Sequence, residues 1–418
     1  MTTAATAPVS ARPATIAQRR AVVTGLGVTA PNGLGTAAYW AATLRGESGI
    51  APITRFDATR YPVRLAGEVP AYQPGEHLPG RLVPQTDQMT RLALIGMDEA
   101  LADAGLDLAA IPAEQRGIVT GNSAGGLEFS QRELEKLWSQ GSQYVSAYLS
   151  FAWFYAANTG QISIRHGLHG PGGVLTGHAG GLDAIAHARR YVRDGVPFVV
   201  SGAVDSAMCP LGWVIELTTG RMSERGDPAR AYLPFDADAS GYLPGEGGAI
   251  LLVEDAEAVV ARGGASYGEI LGYGTTFDPR PGSGRPPGLR RAVELALADA
   301  GIAPGNVDVV FADAAGVPQL DRAEAEVLGE VFGPRGVPVT APKTMTGRLH
   351  SGGPALDVAA ALLALRDGVL PPTVNVVAPA PECAIDLVLG EPRPLPTART
   401  ALVLARGDGL NSALVVGV

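Results

Sequence analysis

Apolar residues recur along this chain in two patterns. One is the spacing of three and four that lays a stripe along a helix; the other is a short unbroken run of strand length. Helical stripes run over 92–104 and 289–300, and each is stopped by a glycine, Gly105 or Gly301, where a left-handed cap ends a helix. Each is followed by a short apolar run, at 117–120 and 307–312, read as a buried strand. Further strands are predicted at 21–28, 198–201, 249–253, 267–273, 385–389 and 401–405. Near-continuous apolar runs of this kind suit strands covered on both faces.

The pattern repeats. Ala100-Leu101-Ala102-Asp103-Ala104-Gly105-Leu106 returns as Ala296-Leu297-Ala298-Asp299-Ala300-Gly301-Ile302. Thr176-Gly177-His178, then Gly181-Leu182-Asp183 and Arg193-Asp194-Gly195, returns as Thr346-Gly347-Arg348, Ala355-Leu356-Asp357 and Arg366-Asp367-Gly368. The shared order points to an α/β chain built from a duplicated βαβ-type unit. The crossover is expected near 254–266, dividing the chain into halves at 21–260 and 261–418. Duplication makes the two Thr-Gly-X turns symmetry mates, so His178 and Arg348 should approach one central cleft. Asp313, at the end of the predicted 307–312 strand, should join them.

Composition narrows the class. The 418 residues are 46% hydrophobic and only 17% charged, enough for a large buried core. A net charge of −9 with no basic run argues against nucleic acid as a partner. Two cysteines, Cys209 and Cys383, form no disulfide framework or metal motif, so a cytoplasmic setting is expected and both read as small hydrophobes. No apolar run reaches the ~18 residues of a spanning helix. Residues 1–20 contain no acid and no apolar secretory core, and read as a disordered tail. His77, His166, His169 and His187 lack partners at ligand spacing, so no metal is expected.

The stretch Leu175-Thr176-Gly177-His178-Ala179-Gly180-Gly181 carries the chemistry. A side chain there stands at a helix N-terminus, where the macrodipole favours an anion. That is the natural seat of an activated thiolate. His178 occupies it.

Here the chain resembles the ketosynthase branch of the thiolase superfamily, over nearly its whole length from Ala21. Val22-Val23-Thr24-Gly25-Leu26-Gly27-Val28 looks like that family's opening strand; Ile53-Thr54-Arg55-Phe56-Asp57, Ala66-Gly67-Glu68-Val69, Pro234-Phe235-Asp236 and Pro244-Gly245-Glu246-Gly247 follow in family order. The resemblance implies a thiolase-like fold with α-β-α-β-α layers. It also implies a Cys-His-His site, in which a thiolate takes the acyl chain and imidazoles stabilise the enolate. All three positions have changed. His178 stands for the cysteine, Asp313 for the first histidine and Arg348 for the second, with Lys343 retained. An ionised aspartate cannot donate to an enolate and an arginine cannot act as a base. Asp313 and Arg348, opposite in charge, are expected to pair and plug the old site. His350, two positions beyond the slot, should point elsewhere.

This pattern of loss resembles the chain length factor, or ketosynthase β subunit, of bacterial type II aromatic polyketide synthases. Phe311-Ala312-Asp313-Ala314-Ala315-Gly316-Val317-Pro318 and Pro342-Lys343-Thr344-Met345-Thr346-Gly347-Arg348-Leu349 carry it, with Ser150-Phe151-Ala152-Trp153-Phe154-Tyr155 and the run from Asn158 to Gly167. The resemblance implies a catalytic ketosynthase α partner and an acyl carrier protein that brings its own phosphopantetheine. It implies no tightly bound cofactor or metal in this chain, and a poly-β-ketone grown from malonyl units. Leu127, Ser130 and Leu134, on one helix face, match positions that line the family's chain-length tunnel. Their modest volume predicts a roomy tunnel and a longer product. The same positions also read as an interface or core stripe. Such subunits usually carry glutamine at the former cysteine, credited with decarboxylating malonyl groups for priming. His178 departs from this, leaving four readings: a length-setting partner, a decarboxylase using His178, a purely structural partner, or an active homodimeric ketosynthase with an unfamiliar site. Ala405-Arg406-Gly407-Asp408-Gly409-Leu410-Asn411 lacks the aromatic gate of active ketosynthases.

Overall fold

The computed structural model describes residues 19–280, 282–407 and 409–418. Residues 1–18 of the expected tail lie outside the described residues. Arg19 and Arg20 lie within them and are tied down, donating to Asp255 at 2.8 Å and Glu269 at 2.7 Å.

The strands of the main sheet are β1 (Ala21–Ala30), β2 (Arg116–Asn122), β3 (Gly172–Thr176), β4 (Phe198–Asp205), β5 (Gly247–Asp255), β6 (Gly268–Phe277), β7 (Val309–Phe311), β8 (Pro338–Thr340), β9 (Asp386–Leu387), β10 (Thr400–Gly407) and β11 (Leu410–Gly417). Their spatial order is β9-β8-β7-β10-β11-β6-β1-β5-β4-β2-β3, with Gly33–Leu34 hydrogen-bonded to β1 as a twelfth strand. Outward from the centre the first half runs first, fifth, fourth, second, third. The second half does the same as β6-β11-β10-β7-β8, with β9 added at its edge. The duplication is therefore a property of the topology. The halves meet where β1 and β6 pair antiparallel, Val22 opposite Glu269 and Val23 opposite Gly268.

Two helices lie between the halves. These are α3 (Gly180–Arg193) and α7 (Gly352–Asp367), which touch each other and strands of both halves. Every residue of α7 from Pro354 to Leu365 is buried; all of them but Asp357 are apolar, as suits a helix enclosed on every side. Outside lie α1 (Gln88–Ala104) on β1 and β5, and α5 (Leu289–Ala300) on β6 and β11. The layers are thus helix, sheet, helices, sheet, helix. Gly105 and Gly301 end the outer helices in the left-handed conformation, as the sequence pattern predicts.

Three further helices concern the site: α2 (Leu127–Gln140), α4 (Pro210–Leu217) and α6 (Pro318–Phe332). α4, α6, β3, β8 and β11 lie outside the elements that the sequence pattern predicts. Among the described residues no helix is long and apolar enough to cross a membrane.

Candidate functional site

The site lies where the duplicated halves converge. β3 delivers Thr176-Gly177-His178 to the start of α3, and the turn after β8 delivers Thr346-Gly347-Arg348 to the start of α7. Gly177 (φ 100°) and Gly347 (φ 77°) both sit in the left-handed region, which a side chain at either position would strain. The two Thr-Gly-X turns thus present His178 and Arg348 to one cavity of about 290 Å³, shared with Asp313, His350, Glu216 and Tyr242. His178 stands just outside α3, whose first turn lacks a side-chain cap.

Asp313 and Arg348 are joined as a fork. Arg348 Nη2 donates to Asp313 Oδ1 at 2.9 Å and Nη1 to Oδ2 at 3.2 Å, while Nη1 also reaches the Asp313 carbonyl at 2.8 Å. The Arg406 amide donates to Asp313 Oδ1 at 3.0 Å. Lys343 Nζ donates to the carbonyls of Ala312 (2.6 Å) and Asp313 (3.1 Å) and pairs with Asp357 at 2.8 Å. On α6, Glu324 accepts from the amides of Asp313 (2.7 Å) and Ala314 (2.9 Å), fixing the loop. Burial pushes the Asp313 carboxyl up, but the Arg348 guanidinium, with Lys343 and Arg406 behind it, holds it below the usual carboxylate range. Burial pulls Arg348 down and Asp313 more than reverses this, so the guanidinium stays charged. Burial raises Glu324, and the neighbouring Asp313 raises it further.

An ionised Asp313 offers no proton, and Arg348 spends its donors on Asp313 and on the Arg406 carbonyl at 3.3 Å. Among the described residues no thiol lines this cavity. Cys209 and Cys383 are buried elsewhere, and burial pushes both thiols up to about 11. The thiolate that would take an acyl chain in condensation has no counterpart among the described residues lining this cavity.

His350 corrects the expectation that it points elsewhere. Its backbone adopts φ 50°, which turns the ring back into the cavity, stacked on His178 at 5.8 Å between centroids with 20° between planes. His350 Nδ1 lies 3.6 Å from Glu216 Oε1, whose other oxygen accepts from the Tyr242 hydroxyl at 2.9 Å. Burial, then the Glu216 charge, pushes that hydroxyl up to about 12. Counting positions from the family slot misplaced His350, because a left-handed residue breaks the alternation on which such counting rests. Glu216 and Tyr242 carried no sequence signal.

The other named residues lie apart from this cavity. Leu127, Ser130 and Leu134 share α2; Leu127 and Ser130 are half-buried, Leu134 is exposed, and Ser130 Oγ donates to the Gly126 carbonyl at 2.7 Å. His166 sits 3.4 Å from Asp98, while His77 and His187 pack on Tyr72 and Tyr191. Among the described residues no group of three His, Cys, Asp or Glu side chains is placed to hold a metal. Asp408 of the former gate lies outside the described residues. A Cβ at Gly407 would stand 2.5 Å from His178 Cβ, so the loop touches His178 only because it is glycine there.

With this geometry in hand, the class is defined: the chain belongs to the beta-ketoacyl synthase family. Residues 18–258 match its N-terminal domain and residues 267–377 its C-terminal domain. The tetracenomycin polyketide synthase ketoacyl synthase beta subunit of Streptomyces glaucescens is 60% identical over 94% of this chain and 97% of its own length. The solved ishigamide ketosynthase/chain length factor superposes with a TM-score of 0.87 at 28% identity, over 96% of this chain and 99% of that one. A type II polyketide synthase acyl carrier protein in complex with its ketosynthase, bound to the hexaketide, gives 0.86 at 25% identity, over 96% of this chain and 99% of that chain.

Proposed function

We propose that this chain is the non-condensing, length-setting subunit of a type II polyketide ketosynthase. It pairs with a catalytic ketosynthase α subunit, in the cytoplasm, and the pair extends a poly-β-ketone on an acyl carrier protein from malonyl units. The partner supplies the thiol, and the carrier protein supplies the phosphopantetheine. The observation that carries this reading is the Asp313–Arg348 fork: both histidine positions are taken by one ion pair while the surrounding fold is intact. The relatives' names support it, being those of beta subunits and chain length factors. On this reading Leu127, Ser130 and Leu134 line the tunnel, and the duplicated topology supports a division into halves at 21–260 and 261–418.

A second reading, malonyl decarboxylation for priming, is favoured by the stack of His178 on His350, which places two imidazoles on one cavity. Replacing His178 with alanine separates the two. A length-setting subunit keeps its product mass and its rate of priming from malonyl groups in the H178A heterodimer. A decarboxylase loses priming there by ~10²-fold or more, the contribution of one general acid or base. Product mass and acetyl-carrier formation are read by mass spectrometry.

A further inference from the structure

The helix on which the tunnel reading depends has an unusual anchor. The N-cap of α2 is Gly126, and no side chain of its own segment caps it. Its first-turn amides have no partner within the helix; that of Leu127 donates to the Gly125 carbonyl at 3.0 Å. The Phe129 amide instead donates at 2.9 Å to Oδ2 of Asp87, a residue of another element. Asp87 is the N-cap of α1, and its Oδ1 accepts from the Met89 amide at 3.0 Å. One carboxylate therefore caps two helices, and their positive ends converge on it. It is 2% exposed, and the Phe129 side chain beside it is 1% exposed. Phe129 lies between Leu127 and Ser130, so the amide that Asp87 holds is the one that seats the stripe.

We infer that Asp87 is a positioning residue for chain-length control, holding the first turn of α2 so that Leu127 and Ser130 keep a fixed place along the growing chain. This rests on the reading that α2 lines the tunnel. Two-point attachment gives the argument its force. A carboxylate with one acceptor oxygen for each helix fixes their relative position, whereas a group with a single acceptor fixes only one. The charged and titratable neighbours are few. Arg91 comes from α1 but spends its guanidinium on Val83 and Thr86. Glu128 comes from α2, and Cys209 precedes α4. Burial raises the Asp87 carboxyl to about 7, Glu128 adding to the rise and the amides of Phe129 and Met89, with the Arg91 charge, opposing it. As pH falls through that value the carboxyl gains a proton, one oxygen becomes a donor, and one of the two amide bonds is lost.

The test uses the heterodimer of this chain with its ketosynthase α, fed malonyl-carrier protein, comparing wild type, Asp87→Asn and Ser130→Phe. Asparagine caps helices as well as aspartate but has a single acceptor oxygen, so α1 stays capped and the hold on α2 is lost. The D87N heterodimer should release a mixture of lengths, the ratio of major product to neighbouring lengths falling about fivefold, the worth of one capping bond. The wild-type ratio should also fall as pH drops through about 7, and the D87N ratio should stay low and flat. A merely structural role would lower yield and leave the ratio and its pH profile untouched. If S130F shortens the product while D87N keeps the wild-type ratio, this inference fails and the tunnel reading stands. If neither variant changes product length, both fail. Should D87N not assemble, Asp87→Ser, which also caps α1 through a single oxygen, takes its place, and a wild-type ratio in that heterodimer overturns the inference.

Discussion

Replacing Arg348 with alanine should destabilise the chain by about 3–5 kcal/mol, the cost of leaving a buried charge without its partner. Asp313 is 6% exposed at its side chain and takes three hydrogen bonds on its carboxylate, two of them from Arg348. Without the guanidinium only the Arg406 amide remains, since Lys343 is engaged with Asp357. The pH dependence inverts as well. In the wild type Asp313 is held below its ordinary value, so its contribution is present above the usual carboxylate range and lost in strong acid. In R348A burial dominates and raises the carboxyl, so its contribution is present in acid and is lost as pH rises above the usual carboxylate range. Denaturant melts at two pH values read both effects. The double variant D313N/R348M keeps an acceptor for the Arg406 amide and removes both charges, and should recover more than half of the loss. A single variant as stable as wild type would mean that the pair does not fill the old site.

Ser130→Phe should truncate the product. Ser130 is half-buried on α2 and its hydroxyl turns back onto the Gly126 carbonyl, so the serine contributes little to the core. A phenyl ring at that point fills space along the helix face shared with Leu127 and Leu134. Crowding the growing chain with the extra carbons costs about 1–3 kcal/mol, and the share of full-length product should fall by roughly 5–150-fold. Shorter polyketides should replace it at a similar total rate, because the condensing thiol belongs to the partner. Mass spectrometry of released products reads the shift. Unchanged length in a stable S130F heterodimer would favour a purely structural partner.

The residues made some of this architecture legible and concealed the rest for identifiable reasons. The stripe over 289–300 and its glycine cap correspond to α5 residue for residue, because a long periodic helix with a capped end is the strongest local signal. The 198–201 run grew to β4 (Phe198–Asp205), because Ser201, Gly202 and Asp205 are buried there by tertiary contacts. β3 begins with two glycines and β11 with Leu410-Asn411-Ser412, so neither reads as an apolar run. The convergence of His178, Asp313 and Arg348 was legible because duplication is itself a spatial statement. His350 was not, since its direction depends on a left-handed backbone. Asp87 was not either, since its second helix lies 42 residues away.

The central claim, a length-setting partner without a condensing site of its own, is tested most directly by three parallel reactions. Malonyl-carrier protein is incubated with this chain alone, with a cognate ketosynthase α alone, and with both, and the products are weighed. The account predicts long polyketides of one length from the mixture and none from this chain alone. Polyketide formed by this chain alone would contradict it, and would make His178, Asp313 and Arg348 a working site.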